Sequence, residues 1–390
     1  MRNLFFIILS ILCLSVHSQH LNLTNNAEIS VITCGPGTEL YTAFGHSAFR
    51  VRDTSLGLDR IYNYGTFDFD QPNFYGNFAK GNLLYFLNAT ETSRFLKVYY
   101  YEKRWVKGQV LDLIPTDTQK LYDYLENNTL PENREYLYDY FFNNCSTKLY
   151  DVVNEVLGDK LVKPELFANQ NLTHRELMQQ YLGDQPWGDF GIDLCLGSVI
   201  DRKATPYEYL FLPDNVLTYF NNLKIKENGS EKLIVKHTEN ILGAPKFKLN
   251  SGTQIFTPLL FFSIIGLIVL WTTLRNIKRK KRSRILDFSL FFITGVIGLV
   301  ITLIWFATNH ISAENNFNVL WAFAPNLFVS FYYLKKKLPT WVRKYSLIAF
   351  VLIILNLLLW ILKVQVFSIA IIPILIFLGI RYFYLWKYTY

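Results

Sequence analysis

The sequence lacks the short motifs that identify many enzymes. It contains no GxSxG, no Walker loop, no HExxH and no CxxC pair. These absences argue against an α/β-hydrolase, a P-loop nucleotidase, a zincin metalloprotease and a thioredoxin-like or zinc-ribbon protein. No group of histidines and cysteines has the spacing of metal ligands, so we expect neither a metal nor another cofactor. No internal repeat is visible.

Charge is not spread along the chain. The 390 residues carry a formal net charge of +8, but two basic clusters at 275–284 and 335–344 account for most of it. The aromatic residues lie in apolar runs rather than among basic residues, so we expect no nucleic-acid partner. With 51% hydrophobic residues, the chain is too apolar for one ordinary soluble domain.

The N-terminus, MRNLFFIILSILCLSVHSQ, has the pattern of a secretory signal peptide. One arginine precedes a short apolar stretch, and small residues follow near Ser18. We expect cleavage after Ser18, which removes residues 1–18 together with Cys13. The mature chain then begins with a soluble domain at 19–253, which is rich in Tyr, Asn and Asp and lies outside the cytoplasm.

Residues 254–390 contain five apolar stretches, each near the roughly 20 residues that a helix needs to cross a bilayer. They are 255–274, 286–308, 318–334, 345–363 and 367–385. The third contains Pro325 and Asn326, and the fifth contains Pro373 and Arg381, so these two are the least regular. The basic clusters fall where the positive-inside rule requires cytoplasmic loops. The sequence therefore predicts an all-α bundle of about five transmembrane helices.

The soluble domain mixes two periodicities. Three stretches alternate like strands, and three others have helical spacing with a polar face. The strand-like stretches are EISVITCG, SAFRVRD and RIYNYGTFDF, and the helical ones are 117–128, 146–158 and 173–182. We therefore predict an α+β fold for this domain.

Cysteine is scarce. After removal of the signal peptide, Cys34, Cys145 and Cys195 remain, and an odd number of cysteines in an oxidising compartment leaves a thiol that is idle or reactive. Cys145 is the best candidate for a reactive thiol because it stands in FFNNCSTKLYD, directly before a predicted helix. The alternative is a buried structural cysteine or a disulfide partner.

A cysteine at a helix N-terminus has two chemical advantages. The helix dipole and the free N–H groups favour the thiolate. The same N–H groups can hold a developing oxyanion, and Asn144 and Ser146 are further candidate donors. The pattern therefore indicates a nucleophile at Cys145.

A thiolate nucleophile needs a base, and the mature chain has few histidines. His20 lies at the expected new N-terminus, His174 lies on a helix face that we expect to be solvated, and His237 lies in a charged run. That leaves His46 and His310. His46, in FGHSAFRVRD, begins a strand, and sheet ends are where loops build sites. The alternative is a strand histidine satisfied by the core.

A histidine on a strand followed by a cysteine on a helix reverses the order found in papain. It matches the circularly permuted papain-like folds, such as the lecithin:retinol acyltransferase and phospholipid N-acyltransferase groups. The chain resembles these groups in Gly45-His46 and Asn144-Cys145. The resemblance implies a circularly permuted papain-like fold and the movement of acyl chains through a cysteine thioester.

Five stretches spread over nearly the whole chain carry a closer resemblance. They are GPGTELYTAFGHSAFRV, IYNYGTFDFDQPNFYGNFAKGNLLYFL, FFNNCSTKLYD, FGIDLCLGSVIDRKATPYEYLFLPDNV and NVLWAFAPNL. Together they resemble the Lnb-type lipoprotein N-acyltransferases of the Bacteroidota, which combine a periplasmic thiol-dependent domain with several membrane spans. Lys148 departs from the family pattern, where Arg is common. Cys195 replaces a small apolar residue, which raises the prospect of a Cys34–Cys195 disulfide.

This resemblance implies a function. A fatty acyl chain would pass from a membrane phospholipid to the α-amine of a lipoprotein whose cysteine carries a diacylglyceryl group. The implied partners are a phospholipid donor, a diacylated lipoprotein acceptor and the membrane. The family's cysteine falls on Cys145 and its histidine on His46, and the protein would be a multi-pass protein of the cell inner membrane with its catalytic domain in the periplasm.

A third group should orient His46, as in catalytic triads generally. Asn63, on the next strand in IYNYGTF, is the preferred candidate, and Tyr62, Tyr64 and Glu39 are alternatives. Asn63 could instead be an ordinary strand-end residue.

Two other functions are compatible with these patterns. A periplasmic cysteine hydrolase acting on peptide or cell-wall amides would use the same cysteine and histidine. A membrane assembly factor without enzymatic activity would not need Cys145.

The segment NHISAENNFNVLWAFAPNL, at 309–327, has more polar groups at a membrane boundary than a passive anchor requires. His310, Glu314, Asn318 and Asn326 are among them. We expect this segment to meet the catalytic domain and to form the floor of a groove for lipid. The alternative is a polar connecting loop followed by a kinked helix.

Overall fold

The computed structural model describes residues 21–243 and 255–388. The expected signal peptide at 1–18, its cleavage site and the expected domain boundary at 253/254 lie outside these residues. The described part consists of an α+β domain over 21–243 and a helical domain over 255–388, as the sequence predicts.

Antiparallel strands form the centre of the α+β domain. Within 21–243 the strands are β1 (Ala27–Cys34), β2 (His46–Asp53), β3 (Leu58–Thr66), β4 (Leu84–Glu91), β5 (Val106–Leu111), β6 (Glu135–Leu137), β7 (Leu161–Val162), β8 (Lys224–Glu227), β9 (Ser230–Leu233) and β10 (Val235–Leu242). Seven of them form one sheet in the order β10-β5-β1-β2-β3-β4-β6, and the other three form a small sheet in the order β7-β8-β9. The stretches predicted to be strands are β1, β2 and β3.

Helices cover both faces of the large sheet. The helices of this domain are α1 (Phe74–Lys80), α2 (Thr92–Tyr101), α3 (Pro115–Thr129), α4 (Cys145–Leu157), α5 (His174–Gln179), α6 (Pro186–Cys195) and α7 (Pro213–Asn222). Of these, α3, α4 and α7 pack on one face of the sheet and α2 packs on the other. The helices predicted over 117–128, 146–158 and 173–182 are α3, α4 and α5, and α5 is shorter than expected because turns follow Gln179.

Successive residues of the central strands point to opposite faces of the sheet. Ile29 and Val31 of β1 pack in one core with Leu121 of α3 and with α4 and α7. Ile32 points to the other face, where it packs with Phe95 of α2. Because helices cover both faces, the middle of the sheet is occupied by packing, and reactive side chains are accommodated at the strand ends.

One end of the sheet lies beside the helical domain. Cys34 at the end of β1 pairs with His46 at the start of β2. At the same end, Asn82 stands just before β4, and its Oδ1 accepts a hydrogen bond from Nδ2 of Asn309 at 2.7 Å. The backbone N–H of Asn309 donates to the carbonyl of Lys80 at 2.8 Å. We call this end of the sheet the membrane end.

The described helices after residue 255 are α8 (Pro258–Arg279), α9 (Arg284–Ala307), α10 (Asn326–Val329), α11 (Thr340–Ile361) and α12 (Ile371–Lys387). Among the described residues, α8, α9 and α11 are long and apolar enough to cross a membrane. They correspond to the first, second and fourth expected spans. The fifth corresponds to α12, which has 17 residues. The helical fold class is confirmed, whereas the total of five spans stays a prediction.

The third expected span is not a continuous helix. α10 is a single turn that begins after Pro325, and 3-10 helices at Phe317–Leu320 and Ser330–Leu334 flank it. The segment packs along α9, where Gly298 lies directly against the backbone of Ala322. Irregular backbone is tolerated at membrane depth when protein covers it, and α9 provides that cover.

Arg381, in the fifth expected span, is fully buried and paired. Its Nε donates to Oδ1 of Asp287 at 2.6 Å, and Arg282 donates to Oδ2 of the same carboxylate at 2.9 Å. Nη1 of Arg381 also donates to the hydroxyl of Thr273 at 3.0 Å. Each buried charge therefore has a partner of opposite sign, and the contacts join α8, α9 and α12.

The loop at 309–318 joins the two domains, as the sequence predicts for part of the segment 309–327. The backbone N–H of Gly197 donates to the carbonyl of Ser312 at 2.9 Å. Nδ2 of Asn316 donates to the carbonyl of Leu194, also at 2.9 Å. A Cβ atom on residue 197 would lie 1.8 Å from the carbonyl oxygen of Glu314, so only glycine permits this approach.

Asn318 and Asn326 do not share one surface, contrary to expectation. Asn318 is buried at the domain junction, and its Nδ2 donates to the carbonyl of Asp193 at 3.3 Å. Asn326 lies inside the bundle, where it donates to the hydroxyl of Thr294 at 3.0 Å and accepts from that of Tyr345 at 2.6 Å. Asn326 therefore stabilises helix packing, and the groove-floor hypothesis stays a prediction for 309–318.

The close approach at Gly298 predicts a stability effect. In Gly298→Ala the new Cβ would lie 1.8 Å from the carbonyl oxygen of Ala322, so backbone must move. Overpacking of this kind costs about 1–3 kcal/mol. Gly266→Ala in α8 is the matched control because its Cβ would meet Phe377 at an ordinary 3.5 Å. We expect a lower midpoint of thermal unfolding in detergent for Gly298→Ala only, and equal midpoints would contradict the packing described here.

Candidate active site

Cys145 is the first residue of α4, and the preceding Asn144 caps the helix. Oδ1 of Asn144 accepts from the backbone N–H groups of Ser146 and Thr147 at 2.8 and 3.0 Å, and the Thr147 hydroxyl accepts from the Asn144 N–H at 3.0 Å. This reciprocal capping box fixes the start of the helix at the cysteine. The thiol is thereby held where the helix dipole favours a negative charge.

Asn144 is not free to assist a reaction, contrary to the expectation that it could donate to an oxyanion. Its Nδ2 donates to the carbonyls of Tyr140 and Phe211, both at 2.8 Å. Both amide hydrogens are therefore committed to the fold. Oδ1 of Asn144 accepts from the N–H groups of Ser146 and Thr147, and its backbone carbonyl accepts from that of Lys148. Of the N–H groups in the first turn, that of Cys145 therefore remains without an acceptor among the described residues.

His46 enters the site through an unusual turn before β2. Gly45 has φ +83°, and a Cβ there would lie 2.6 Å from the carbonyl oxygen of Cys34, so the position requires glycine. The His46 ring is half-buried and forms a hydrogen bond with the Cys145 side chain. Its Nε2 donates to Oδ1 of Asn63 at 2.5 Å, which leaves Nδ1 for the thiol.

Asn63 reaches His46 because β3 departs from regular pairing. The pairing of β2 with β3 ends at Phe49 opposite Tyr62. A bulge in β3 lies between Asn63 and Thr66, and it contains Gly65 at φ +85°. Bulges re-aim side chains, and here Asn63 points to the imidazole.

The other candidates for the residue that orients His46 make no hydrogen bond with it among the described residues. The Tyr62 hydroxyl donates to Glu126, and Glu39 is exposed. The Tyr64 hydroxyl is buried and has no hydrogen-bond partner among the described residues. The structure therefore brings together Cys145, His46 and Asn63.

The electrostatics of the pair favour a thiolate beside an imidazolium. Burial alone would raise the pKa of the Cys145 thiol, but the charge and hydrogen bond of His46 and the backbone N–H of Ser47 lower it below its usual value. Burial would lower the pKa of His46, but the Cys145 thiolate and the hydrogen bond with Asn63 raise it above its usual value. A proton therefore moves readily between the two side chains.

The other two cysteines have different surroundings. All three described cysteines are free thiols, so the Cys34–Cys195 disulfide that the resemblance suggested is not present. Cys34 is buried in β1, and burial raises the pKa of its thiol to about 12. Cys195 is exposed at the end of α6. Of the three, Cys145 alone has a histidine as hydrogen-bond partner.

One expectation about the histidines was wrong. His174 is fully buried rather than solvated, because its ring packs against Phe141, Phe142 and Phe211. Burial lowers its pKa to about 4, so it stays neutral. The helical pattern could not reveal this, since the aromatic residues that cover His174 come from distant parts of the chain.

Several residues around the thiol had no signal in the sequence. A Cβ on Gly65 would lie 3.4 Å from the Cβ of Cys145, 3.8 Å from the ring of Tyr138 and 4.0 Å from the hydroxyl of Tyr136. Ser47 supplies its N–H to the sulfur, and its hydroxyl lies 3.1 Å from that of Ser146. Because tyrosine is common throughout this domain, the sequence did not distinguish Tyr136 and Tyr138 from the other tyrosines.

These groups together can perform acyl transfer. The Cys145 thiol has a lowered pKa, the His46 ring in contact with it can take up and return a proton, and Asn63 holds that ring by a hydrogen bond. The free N–H at the start of α4 belongs to the same residue as the sulfur and can donate to an oxyanion that develops next to it. Such a set can open an ester, thioester or amide through a covalent acyl-cysteine.

The lowered pKa predicts selective alkylation. Near neutral pH, iodoacetamide should label Cys145 faster than Cys34 or Cys195, because alkylation requires the thiolate. In His46→Ala the main group that offsets the burial of the thiol is lost, so the pKa of Cys145 rises. Labelling of Cys145 should therefore be slow near neutral pH and should accelerate steeply as the pH is raised. Time-resolved peptide mass spectrometry over a pH series measures both effects. Faster labelling of exposed Cys195 in the unmodified protein would contradict the lowered pKa.

Two family models match the chain. Residues 18–180, which include Cys145, His46 and Asn63, match the Lnb N-terminal periplasmic domain. Residues 250–390 match the Lnb transmembrane domain. No curated protein and no solved structure matches the chain. The two matches follow each other along the chain in the order of its two domains, and the protein belongs to the Lnb family, as an inner-membrane protein with a periplasmic N-terminal domain.

Proposed function

We propose that this protein is a lipoprotein N-acyltransferase. It would move a fatty acyl chain from a phospholipid, through a thioester on Cys145, to the N-terminal α-amine of a diacylglyceryl-modified lipoprotein. The observation that carries the proposal is the contact of Cys145 with His46, itself bonded to Asn63, at the membrane end of the sheet. Membership of the Lnb family supports it.

The first half-reaction forms the acyl-enzyme. The Cys145 thiolate attacks the ester carbonyl of the phospholipid, and the carbonyl oxygen becomes an oxyanion that the Cys145 N–H stabilises. The bond from the carbonyl carbon to the glycerol oxygen then breaks. The His46 imidazolium gives its Nδ1 proton to that oxygen, and lysophospholipid leaves.

The second half-reaction forms the amide. The lipoprotein α-amine attacks the thioester carbonyl, and neutral His46 accepts a proton from the amine. The carbon–sulfur bond breaks, and the thiolate is restored beside an imidazolium. Throughout both steps Oδ1 of Asn63 accepts from Nε2–H, which keeps Nδ1 directed at the reacting atoms.

Limited access of water supports transfer to an amine over hydrolysis. Cys145 is only 9% exposed, and Gly65, Tyr136 and Tyr138 surround it. A thioester in such a site meets little bulk water, so an amine held beside it is the competing nucleophile.

The position of the site supports substrates that are anchored in lipid. His46 begins its strand at the membrane end of the sheet, and residues 309–318 connect the same domain directly to the transmembrane helices. A phospholipid donor and a diacylated acceptor are both confined to the membrane surface, where a tethered site meets them at high local concentration.

Loss of the nucleophile or base should abolish N-acylation. We expect no transfer with Cys145→Ala and a loss of roughly 10²–10⁴-fold with His46→Ala. The readout is mass spectrometry of a lipoprotein N-terminus from cells whose only copy of the protein is the variant, with membrane abundance measured in parallel. Cys195→Ala and His237→Ala, at exposed positions, are matched controls and should retain activity.

The same experiment separates the proposal from hydrolysis and from a non-enzymatic role. A hydrolase would release free fatty acid or peptide and leave the lipoprotein amine unmodified. Full N-acylation by Cys145→Ala would instead show that the thiol is not the nucleophile.

Asn63 should act through the pKa and orientation of His46. Asn63→Ala removes the hydrogen-bond acceptor of the imidazolium, and a hydrogen bond to a charged group contributes about 1.5–3 kcal/mol. The expected loss in the rate of acyl transfer is therefore roughly 10–100-fold. The Asn63 hydrogen bond raises the pKa of His46, so this pKa should be lower in Asn63→Ala. Deprotonation of the imidazolium, and the loss of activity that follows it, should then occur at a lower pH. Asn63→Asp keeps the acceptor and adds negative charge, so it should move that pH higher. A purely structural role would leave this pH unchanged in both variants.

A further inference from the structure

We propose that a track of aromatic side chains, Phe78, Phe74, Phe69, Phe67, Tyr85 and Tyr138, binds a single lipid acyl chain and guides it from the bilayer to Cys145. The acyl chain as occupant rests on the proposed function. The track itself is a feature of the structure that the motifs around Cys145 and His46 do not include.

The rings follow one another without a gap. Phe78 stacks on Phe74 with ring centroids 6.4 Å apart, and Phe74 lies 6.0 Å from Phe67. Phe67 lies 5.3 Å from Tyr85, which stacks on Tyr138 at 4.2 Å. Each step is within the range of direct ring contact. Phe69 packs beside Phe67 and Phe74, at 5.0 and 4.9 Å.

One end of the track lies at the membrane boundary. Phe74 and Phe78 belong to α1, whose last residue, Lys80, accepts a hydrogen bond from the backbone N–H of Asn309. Asn309 follows α9 by two residues, so α1 is attached to the outer end of a transmembrane helix. Phe69 and Phe78 are 67% and 56% exposed, and aromatic rings are favoured at this level of a bilayer.

The other end of the track reaches the thiol. A Cβ on Gly65 would contact the ring of Tyr138 at 3.8 Å and the Cβ of Cys145 at 3.4 Å, so ring and thiol flank the same glycine. Because residue 65 is glycine, no side-chain atom of its own stands between the Tyr138 ring and the thiol. An acyl chain that follows the rings therefore arrives with its carbonyl end beside the sulfur.

The chemistry of the track selects its occupant. It consists of phenylalanine and tyrosine rings and carries no charged side chain, so it favours a hydrocarbon chain over a peptide or sugar. Its continuity with the outer end of α9 indicates the bilayer as the source. One line of rings suits one acyl chain, whereas the headgroup would stay in the interface.

Paired alkylating reagents test the track without requiring acyl transfer. Purified full-length protein in phospholipid nanodiscs is treated with iodoacetamide or with its N-hexadecyl derivative, and the rate of Cys145 modification is measured. Phe67→Ser removes the ring that joins Phe69 and Phe74 to Tyr85, and Phe69→Ser removes a mostly exposed ring. Tyr101→Ser is the matched control, because Tyr101 is 70% exposed and its ring contacts Tyr100 rather than the track.

The quantity compared is the ratio of the Cys145 modification rate with the hexadecyl reagent to the rate with iodoacetamide. We expect this ratio to fall about tenfold in Phe67→Ser and Phe69→Ser and to stay unchanged in Tyr101→Ser. Phe67→Leu, which keeps an apolar side chain, should recover part of the loss. An unchanged ratio in Phe69→Ser, whose exposed position leaves folding intact, overturns the track, as does an equal fall with both reagents. Because the assay measures thiol modification alone, failure of lipoprotein N-acylation would overturn the proposed function and leave this result standing.

Discussion

The capped start of α4 is the constraint on which the site depends. One side chain, Asn144, accepts from Ser146 and Thr147 and donates to the carbonyls of Tyr140 and Phe211. These four hydrogen bonds hold the helix start against both the preceding turn and a distant segment of the chain. The Cys145 thiol is therefore placed by a buried and fully satisfied amide, since an unsatisfied one would be costly.

Departures from regular strand geometry supply the remaining groups. Gly45 permits the turn that begins β2 with His46, and the bulge at Gly65 both aims Asn63 at the imidazole and leaves space beside the thiol. These features lie at the membrane end of the sheet, near the attachment of α1 to the outer end of α9. The geometry that brings Cys145, His46 and Asn63 together thus lies at the end of the sheet beside the helical domain.

The helical domain makes direct contacts with the N-terminal domain. Its third segment is irregular because Pro325 interrupts it, and Gly298 of α9 lets that segment pack closely. The sequence indicated that polar residues of 309–327 serve contacts, but it could not separate Asn318 at the domain junction from Asn326 in the bundle. Both are polar residues near a membrane boundary, and their partners lie far away in the chain.

The sequence by itself determined the two-domain order, the α+β and helical classes, the strand that carries His46 and the helix that begins at Cys145. Each follows from local periodicity, capping residues and apolar length. Only the tertiary structure decided that His46 meets Asn63 rather than Tyr64, that Asn144 is committed to the fold, and that His174 is buried. These outcomes depend on which distant side chains come into contact, and a local pattern contains no information on that choice.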